Sequence, residues 1–131
     1  MGQALQYVNI ARDVQRDAAI GRVYIATTWL RQENLSPWAV LAKANDERIA
    51  RLQRRMLDKA DKIYRWTERV MDQLPDEVRG PIRTVVESYM AMGETVRVDP
   101  LRGLRGERKL KLPWWRRLAV ARRAMRRAKR A

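Results

Sequence analysis

Apolar residues along the chain recur at steps of three and four, and strand-like alternation is scarce, so the pattern predicts helices. The first helical stretch runs from about Gly2 to Ala19 and is bounded by Gly21. Residues 22–35 hold a β-prone run, Val23, Tyr24, Ile25, Thr27 and Thr28, that is too isolated to form a sheet. It is expected to be a loop packing Trp29 and Leu30. Ser36-Pro37 is a good helix start, with Ser as the cap and Pro in the first turn, and opens a short helix carrying Trp38, Leu41 and Ala42. A third helix, capped by Asn45, runs to about Leu74. Its stripe is Ile49, Leu52, Met56, Ala60, Ile63, Thr67, Val70 and Leu74, and Pro75 closes it. Gly80-Pro81 restarts a fourth helix with Ile82, Val85, Val86, Tyr89, Met92 and Val96 on its inner face, and Asp99-Pro100 ends it. Gly103 and Gly106 mark a flexible basic connector before a last helical stretch, Trp114 to Ala128.

Long amphipathic helices with short connections describe an all-α bundle. The apolar stripes are richer than four helices can satisfy among themselves. The first helix opens at Met1 with no cap, and five tryptophans need partner surface. The expectation is therefore a portion of a larger bundle.

Charge divides this picture in two. The chain has 131 residues with 29 Lys+Arg against 15 Asp+Glu, a net charge of +14. Residues 101–131 carry 13 of those basic residues and only Glu107 on the acidic side. The expected organisation is a near-neutral helical body over 1–100 and a basic connector and tail over 101–131. Cysteine and histidine are both absent, which excludes disulfides, thiolate or imidazole catalysis and Cys/His zinc sites. Any metal must sit on oxygen ligands, as Mg²⁺, Ca²⁺ or Mn²⁺ does. No apolar run is long enough to span a membrane, and the N-terminus lacks the pattern of a signal peptide.

The tail reads as a basic amphipathic helix. Trp114, Leu118, Ala121, Met125 and Ala128 share a narrow arc, and Arg116, Arg123, Arg126, Arg127 and Arg130 occupy the rest. Three readings stay open. The tryptophans can pack on the bundle while the arginines are merely solvated. Residues 113–130 can attach peripherally to an anionic membrane surface. Nucleic acid is the weakest of the three, because no recognition pattern accompanies the arginines.

Candidate chemistry concentrates on the first helix. At about 100° per residue, Gln6, Asn9, Asp13 and Asp17 fall within an arc of roughly 80°. Two aspartates one turn apart repel each other. A strip of two amides and two carboxylates presents hard oxygen ligands suited to divalent cations bridging to a phosphate. Arg22 and Tyr24 follow, a fork for phosphate oxygens and a hydroxyl donor. An i,i+4 pair of aspartates is by itself more often the mark of a solvated face, particularly with Arg12 and Arg16 nearby. Arg12 points away from the strip and reads as a structural ion-pair partner.

The stretch Gln6-x₂-Asn9-Ile10-x-Arg12-Asp13-Val14-x₂-Asp17-x₄-Arg22-x-Tyr24 resembles the second aspartate-rich signature of squalene and phytoene synthases. Asp17-Ala18 and Gly21-Arg22-Val23-Tyr24 lean towards the phytoene synthase form. Thr27-Thr28-Trp29-Leu30 and the run from Glu77 to Ile82 resemble the synthase part of fungal-type bifunctional lycopene cyclase/phytoene synthases. The run from Pro113 to Ala121 resembles the basic, Trp-containing end of many phytoene synthases.

The resemblance implies an all-α isoprenoid-synthase fold in which two aspartate-rich helices face each other across a cavity and hold Mg²⁺, with Mn²⁺ an alternative. It implies a head-to-head joining of two geranylgeranyl diphosphates through prephytoene diphosphate to phytoene. Asp13 and Asp17 would be the Mg²⁺-diphosphate ligands. Gln6 and Asn9 would position the diphosphate or a cation, Arg22 and Tyr24 would close over the phosphates, and Arg12 matches the signature without an assigned role.

Ala26 stands where the family usually has proline. The family's first aspartate-rich motif lies upstream of the second, and no stretch here reproduces it. Asp58 with Asp61, and Asp72 with Asp76 and Glu77, read as solvated charge. The expectation is the C-terminal half of a synthase domain, inactive alone and completed by an N-terminal half. The alternatives are a truncated product without function, or a basic module for anionic membrane or nucleic acid. Prenyl chain length, geranylgeranyl or farnesyl, is not fixed by these residues.

Overall fold

The structure is a computed structural model that describes residues 1–42, 46–100 and 111–131. All regular secondary structure among the described residues is helical: α1 (Gly2–Ala19), α2 (Thr27–Gln32), α3 (Pro37–Ala42), α4 (Glu47–Met71), α5 (Asp76–Val98) and α6 (Trp114–Arg130). No described helix is long and apolar enough to cross a membrane.

The core is the seam between α1 and α4, which run antiparallel. Small residues at steps of three and four on α1, Ala4, Val8, Ala11, Val14 and Ala18, are all buried. They let the backbone approach the larger Ile49, Leu52 and Met56 of α4, which close the seam. Each such large side chain contributes about 1.5–3 kcal/mol when fully buried. α5 crosses both helices at Gly93, where a Cβ would stand 3.2 Å from Leu57 Cδ2 and 3.5 Å from Val8 Cγ2.

One polar network lies inside this seam. Gln53 is fully buried, and its Nε2 donates to the carbonyl of Ala11 (2.7 Å), to the carbonyl of Pro100 (3.1 Å) and to Gln15 Oε1 (3.3 Å). Gln15 Nε2 donates back to Gln53 Oε1 at 3.1 Å. The paired amides tie α1, α4 and the segment after α5 in a single register. A buried amide without such partners would carry a desolvation cost.

Several element boundaries differ from the sequence reading, each for a local reason. Residues 27–32 are helical rather than a loop: α2 buries Leu30 and ends on Asn34 at φ 53. The Asn34 N–H donates to the Arg31 carbonyl and that of Leu35 to the Leu30 carbonyl, a left-handed cap that short polar side chains tolerate. In α3, Ser36 caps Ala39 as anticipated, but Val40 is the buried residue and Trp38 is exposed.

The cap expected at Asn45 lies outside the described residues. Asp46 caps α4 by accepting from the Arg48 N–H at 2.8 Å. Its bonds to the Arg48 guanidinium and N–H lower the Asp46 pKa to about 2.

α5 begins at Asp76, after Pro75, and passes straight through Gly80-Pro81. Asp76 and Glu77 in its first turn favour the positive end of the helix dipole, and a proline so near the start removes only one intrahelical bond. Val70 of α4 and Ile82 and Val85 of α5, predicted to face inward, are exposed together with Trp66 and Val78. These residues lie past the start of α1, where Thr67 Oγ1 donates to Met1 Sδ, and α1 offers them no cover.

Of the carboxylates expected to be solvated, Asp58, Asp61, Asp72 and Asp76 form ion pairs while still reaching solvent. Arg97 gathers Asp58 (2.5 Å), Asp61 (2.7 Å) and Glu94 (3.2 Å), Arg83 engages Asp72, and Arg79 meets Asp76 at 2.9 Å.

α6 packs on α5 with a face rotated from its apolar stripe, of which Ala128 alone is buried. Ala124 and Ala128 are buried, whereas Trp114, Leu118 and Met125 are exposed. Two features set this rotation. Gly80 permits close approach, since a Cβ there would lie 2.5 Å from Met125 Sδ. Arg127 pairs with Glu68 of α4 and with Glu87 of α5, which pulls its side of the helix inward. The glycine connector at 103 and 106 lies outside the described residues.

Candidate functional site

The turn that ends α1 builds the site. Gly21 adopts φ +76, its N–H donates to the Ala18 carbonyl at 3.0 Å, and the Arg22 N–H donates to the Asp17 carbonyl at 2.8 Å. This paired closure is the Schellman motif, and it needs a residue without a left-handed penalty at the glycine. Its effect is to fold residues 22–25 back onto the helix. Asp17, Arg22 and Tyr24 thereby line one recess with Ile10, Val14 and Val40. Ala26 occupies the proline position at φ −56, a value proline itself would adopt, and starts α2 without distortion.

A Cβ at Gly21 meets no atom within 4 Å, so Gly21→Ala tests the backbone alone. It should cost about 1 kcal/mol in chemical denaturation and loosen Arg22 from Asp17. An unchanged midpoint would show that the turn is unstrained.

Asp13 sits one turn earlier and is held by Arg12, whose Nε donates to Oδ1 at 2.8 Å and whose Nη2 donates to Oδ2 at 2.5 Å. Arg12 Nη1 reaches Met92 Sδ on α5 at 3.2 Å, and its side chain is only 6% exposed. The structural ion-pair role read for Arg12 is therefore realised, with Asp13 itself as the partner. Asp17 has no such fork. Burial and the neighbouring Asp13 charge raise its carboxyl above the ordinary value, with Arg16, Arg22 and Arg12 opposing. The ionised form of Asp17 thus costs the folded chain something at neutral pH. That cost fades as the pH falls through the raised pKa.

Beside the strip lies an open cleft of about 420 Å³ between α1, α2 and α4. Gln6 and Tyr24 line it with Gln3, Tyr7, Ile10, Trp29, Met56 and Lys59. Tyr7 stacks on Trp29 with centroids 6.3 Å apart, and the Arg55 guanidinium lies 4.2 Å from the Trp29 ring centre. Tyr24 and Ile10 border both, so the close-packed contact of Asp17, Arg22 and Tyr24, which leaves no room for a water, adjoins this partly apolar cleft. Asn9 and Asp13 line neither the Asp17 contact nor the cleft, and Asp13 is tied through Arg12 to Met92 of α5.

The squalene/phytoene synthase family profile matches residues 1–116. The chain belongs to the squalene/phytoene synthase family. It is 46% identical over 121 residues to a bifunctional lycopene cyclase/phytoene synthase of Arthroderma gypseum, covering 92% of this chain and 20% of that protein. The protein of the same name from Aspergillus oryzae is 48% identical over 128 residues, covering 95% of this chain and 21% of the relative. A third, from Phaeosphaeria nodorum, is 50% identical over 97 residues, covering 74% and 17%. The chain spans about a fifth of the length of these curated relatives.

As a squalene/phytoene synthase family member, the chain offers a donor set with a definite limit. No group of three or more acidic side chains among the described residues could hold a metal by itself. Two carboxylates backed by amide oxygens suit Mg²⁺ differently, because that ion keeps several waters and binds through one or two carboxylates plus substrate phosphates. The residues present therefore fit a cation that arrives with a diphosphate. Sequence reasoning missed the cleft wall of Tyr7, Met56 and Lys59. Helical phase could have flagged Tyr7 and Ile10, but nothing local to α4 marks Met56 or Lys59 as neighbours of α1.

Proposed function

We propose that this chain supplies the second aspartate-rich helix of a phytoene synthase, which joins two geranylgeranyl diphosphates head to head through prephytoene diphosphate to phytoene in carotenoid biosynthesis. The observation that carries this reading is the Gly21 turn, which brings Arg22 and Tyr24 to Asp17, with Tyr24 also lining a partly apolar cleft.

Asp13 and Asp17 would hold Mg²⁺, or Mn²⁺, at the substrate diphosphate. When bound, the cation would supply neutralisation of the leaving group's charge. Arg12 keeps the Asp13 carboxylate fixed, so its geometry is set before substrate arrives. Arg22 can fork onto phosphate oxygens, and the Tyr24 hydroxyl can donate to one of them. Gln6, at the cleft edge, and Asn9 present amides to the diphosphate or to an allylic cation. Tyr7, Ile10, Trp29 and Met56 form a wall that excludes water from the prenyl chain, as a reactive cation requires.

The reading predicts no turnover from the 131-residue chain with Mg²⁺ and geranylgeranyl diphosphate. Phytoene should appear once the chain is joined to an upstream half bearing the first aspartate-rich motif. A joined polypeptide that folds, carries both motifs and stays inactive with geranylgeranyl and farnesyl diphosphates alike would defeat it.

A further inference from the structure

The cleft between α1, α2 and α4 is partly apolar and carries very little charge. Tyr7, Ile10, Trp29 and Met56 supply its apolar surface, and Gln6 and Tyr24 add polar groups from the α1 side. Among the described residues that line it, Lys59 of α4 alone is charged. Its volume of about 420 Å³ is ordinary for a small-molecule site.

No group of the body claims that charge. Lys59 is exposed and forms no ion pair among the described residues. The acidic residues beside it in sequence, Asp58 and Asp61, are both drawn to Arg97 of α5. Arg55, one turn earlier on α4, is already engaged: its guanidinium lies over the Trp29 ring and donates to Gln32 Oε1. Lys59 therefore brings to the cleft a cation whose counter-charge must come from a ligand.

An ammonium on a cleft with an apolar wall suits an amphiphile with an anionic head. Lysine binds phosphate as a point charge. Asp13 and Asp17 do not line the cleft, so a phosphate at Lys59 faces no carboxylate among the lining residues and needs no metal to approach.

We infer that Lys59 binds the diphosphate of a prenyl ligand directly, without a metal, while Tyr7, Ile10, Trp29 and Met56 hold the hydrocarbon chain. The inference rests on the proposed reading of the chain as part of a prenyl diphosphate enzyme. It adds a phosphate contact on α4, separate from the aspartate strip on α1.

The test is isothermal titration calorimetry of the full 131-residue chain in EDTA, with geranylgeranyl S-thiolodiphosphate as an inert probe. Chelation reads the lysine contact apart from any Mg²⁺ held by the aspartates. Lys59→Gln should weaken binding on the order of tenfold, the usual worth of one hydrogen bond to a charged group. Lys59→Arg, which keeps the charge, should recover most of that loss. Lys62→Gln removes an equal charge from an exposed position on the same helix outside the cleft, and should change affinity by less than about twofold. Inorganic pyrophosphate, which cannot use the apolar wall, should bind the parent more weakly than the prenyl probe. Both lysines are exposed, so the thermal midpoints of all three variants should match the parent.

Unchanged affinity in Lys59→Gln, an equal loss in Lys62→Gln, or binding that appears only with Mg²⁺ would each overturn the inference. Mg²⁺-dependent binding that Asp17→Asn abolishes and Lys59→Gln spares would do so while leaving the proposed reaction standing. Lys59-dependent binding beside an inactive joined polypeptide would support the contact and count against the reaction.

Discussion

Asp17→Asn should lower the turnover of a complete synthase polypeptide carrying this helix by about 10²- to 10³-fold, the usual loss when one electrostatic contact to a transition state is removed. The same change should leave the fold intact and slightly more stable. Asp17 is partly desolvated and faces the charge of Asp13, which raises its pKa, and no side chain forks onto it as Arg12 forks onto Asp13. Neutralising it relieves an i,i+4 repulsion of a few tenths of a kcal/mol.

Asp13→Asn should behave differently, although both aspartates belong to the same motif. Its loss strands the Arg12 guanidinium in a nearly closed position and should lower stability along with activity. Parallel measurement of turnover and thermal midpoint separates the two. If Asp17→Asn keeps full activity, Asp17 is a surface aspartate and the diphosphate assignment fails.

Gln53→Leu should be the most damaging single core change, at about 2–4 kcal/mol in urea unfolding. The side chain is close in size, so little of this comes from a cavity. The loss comes from removing the Gln53 amide that donates to the Ala11 carbonyl and exchanges hydrogen bonds with Gln15 in a closed interior, while the Pro100 carbonyl keeps the Gln15 Nε2 donor at 3.3 Å. A midpoint unchanged from the parent would mean that water reaches the pair. Gln53 does not line the cleft, so an effect on substrate binding should arise through the register of α1 on α4.

Helical periodicity made α1, the length of α4 and the all-α class legible before any coordinates. The strip of Gln6, Asn9, Asp13 and Asp17 was equally legible, because residues on one helix share a phase fixed by geometry. What lay hidden depended on long-range partners. The rotation of α6 is decided by Gly80 and by the carboxylates of Glu68 and Glu87, which its own apolar stripe cannot report. The six residues of α2 carry β-branched threonines at its start and too short a pattern to reveal a helix, yet burial of Leu30 and a cap at Asn34 suffice to form it. Gln53 looks like a surface residue in sequence, since nothing nearby marks the Ala11 carbonyl that awaits it. The cleft wall escaped for the same reason: Met56 and Lys59 meet α1 only through the fold.

The contrast between the two seams orders how the molecule would come apart. Between α1 and α4 the contacts are apolar side chains and a neutral amide pair, both indifferent to ionic strength. α6 contributes two buried alanines and depends otherwise on arginine pairs that reach solvent, which salt screens. Raising the salt should therefore bring amide exchange in α6 forward while exchange in α1 and α4 stays slow. The aspartate strip is mounted on the last part of the chain to open, and α6 is the first to leave.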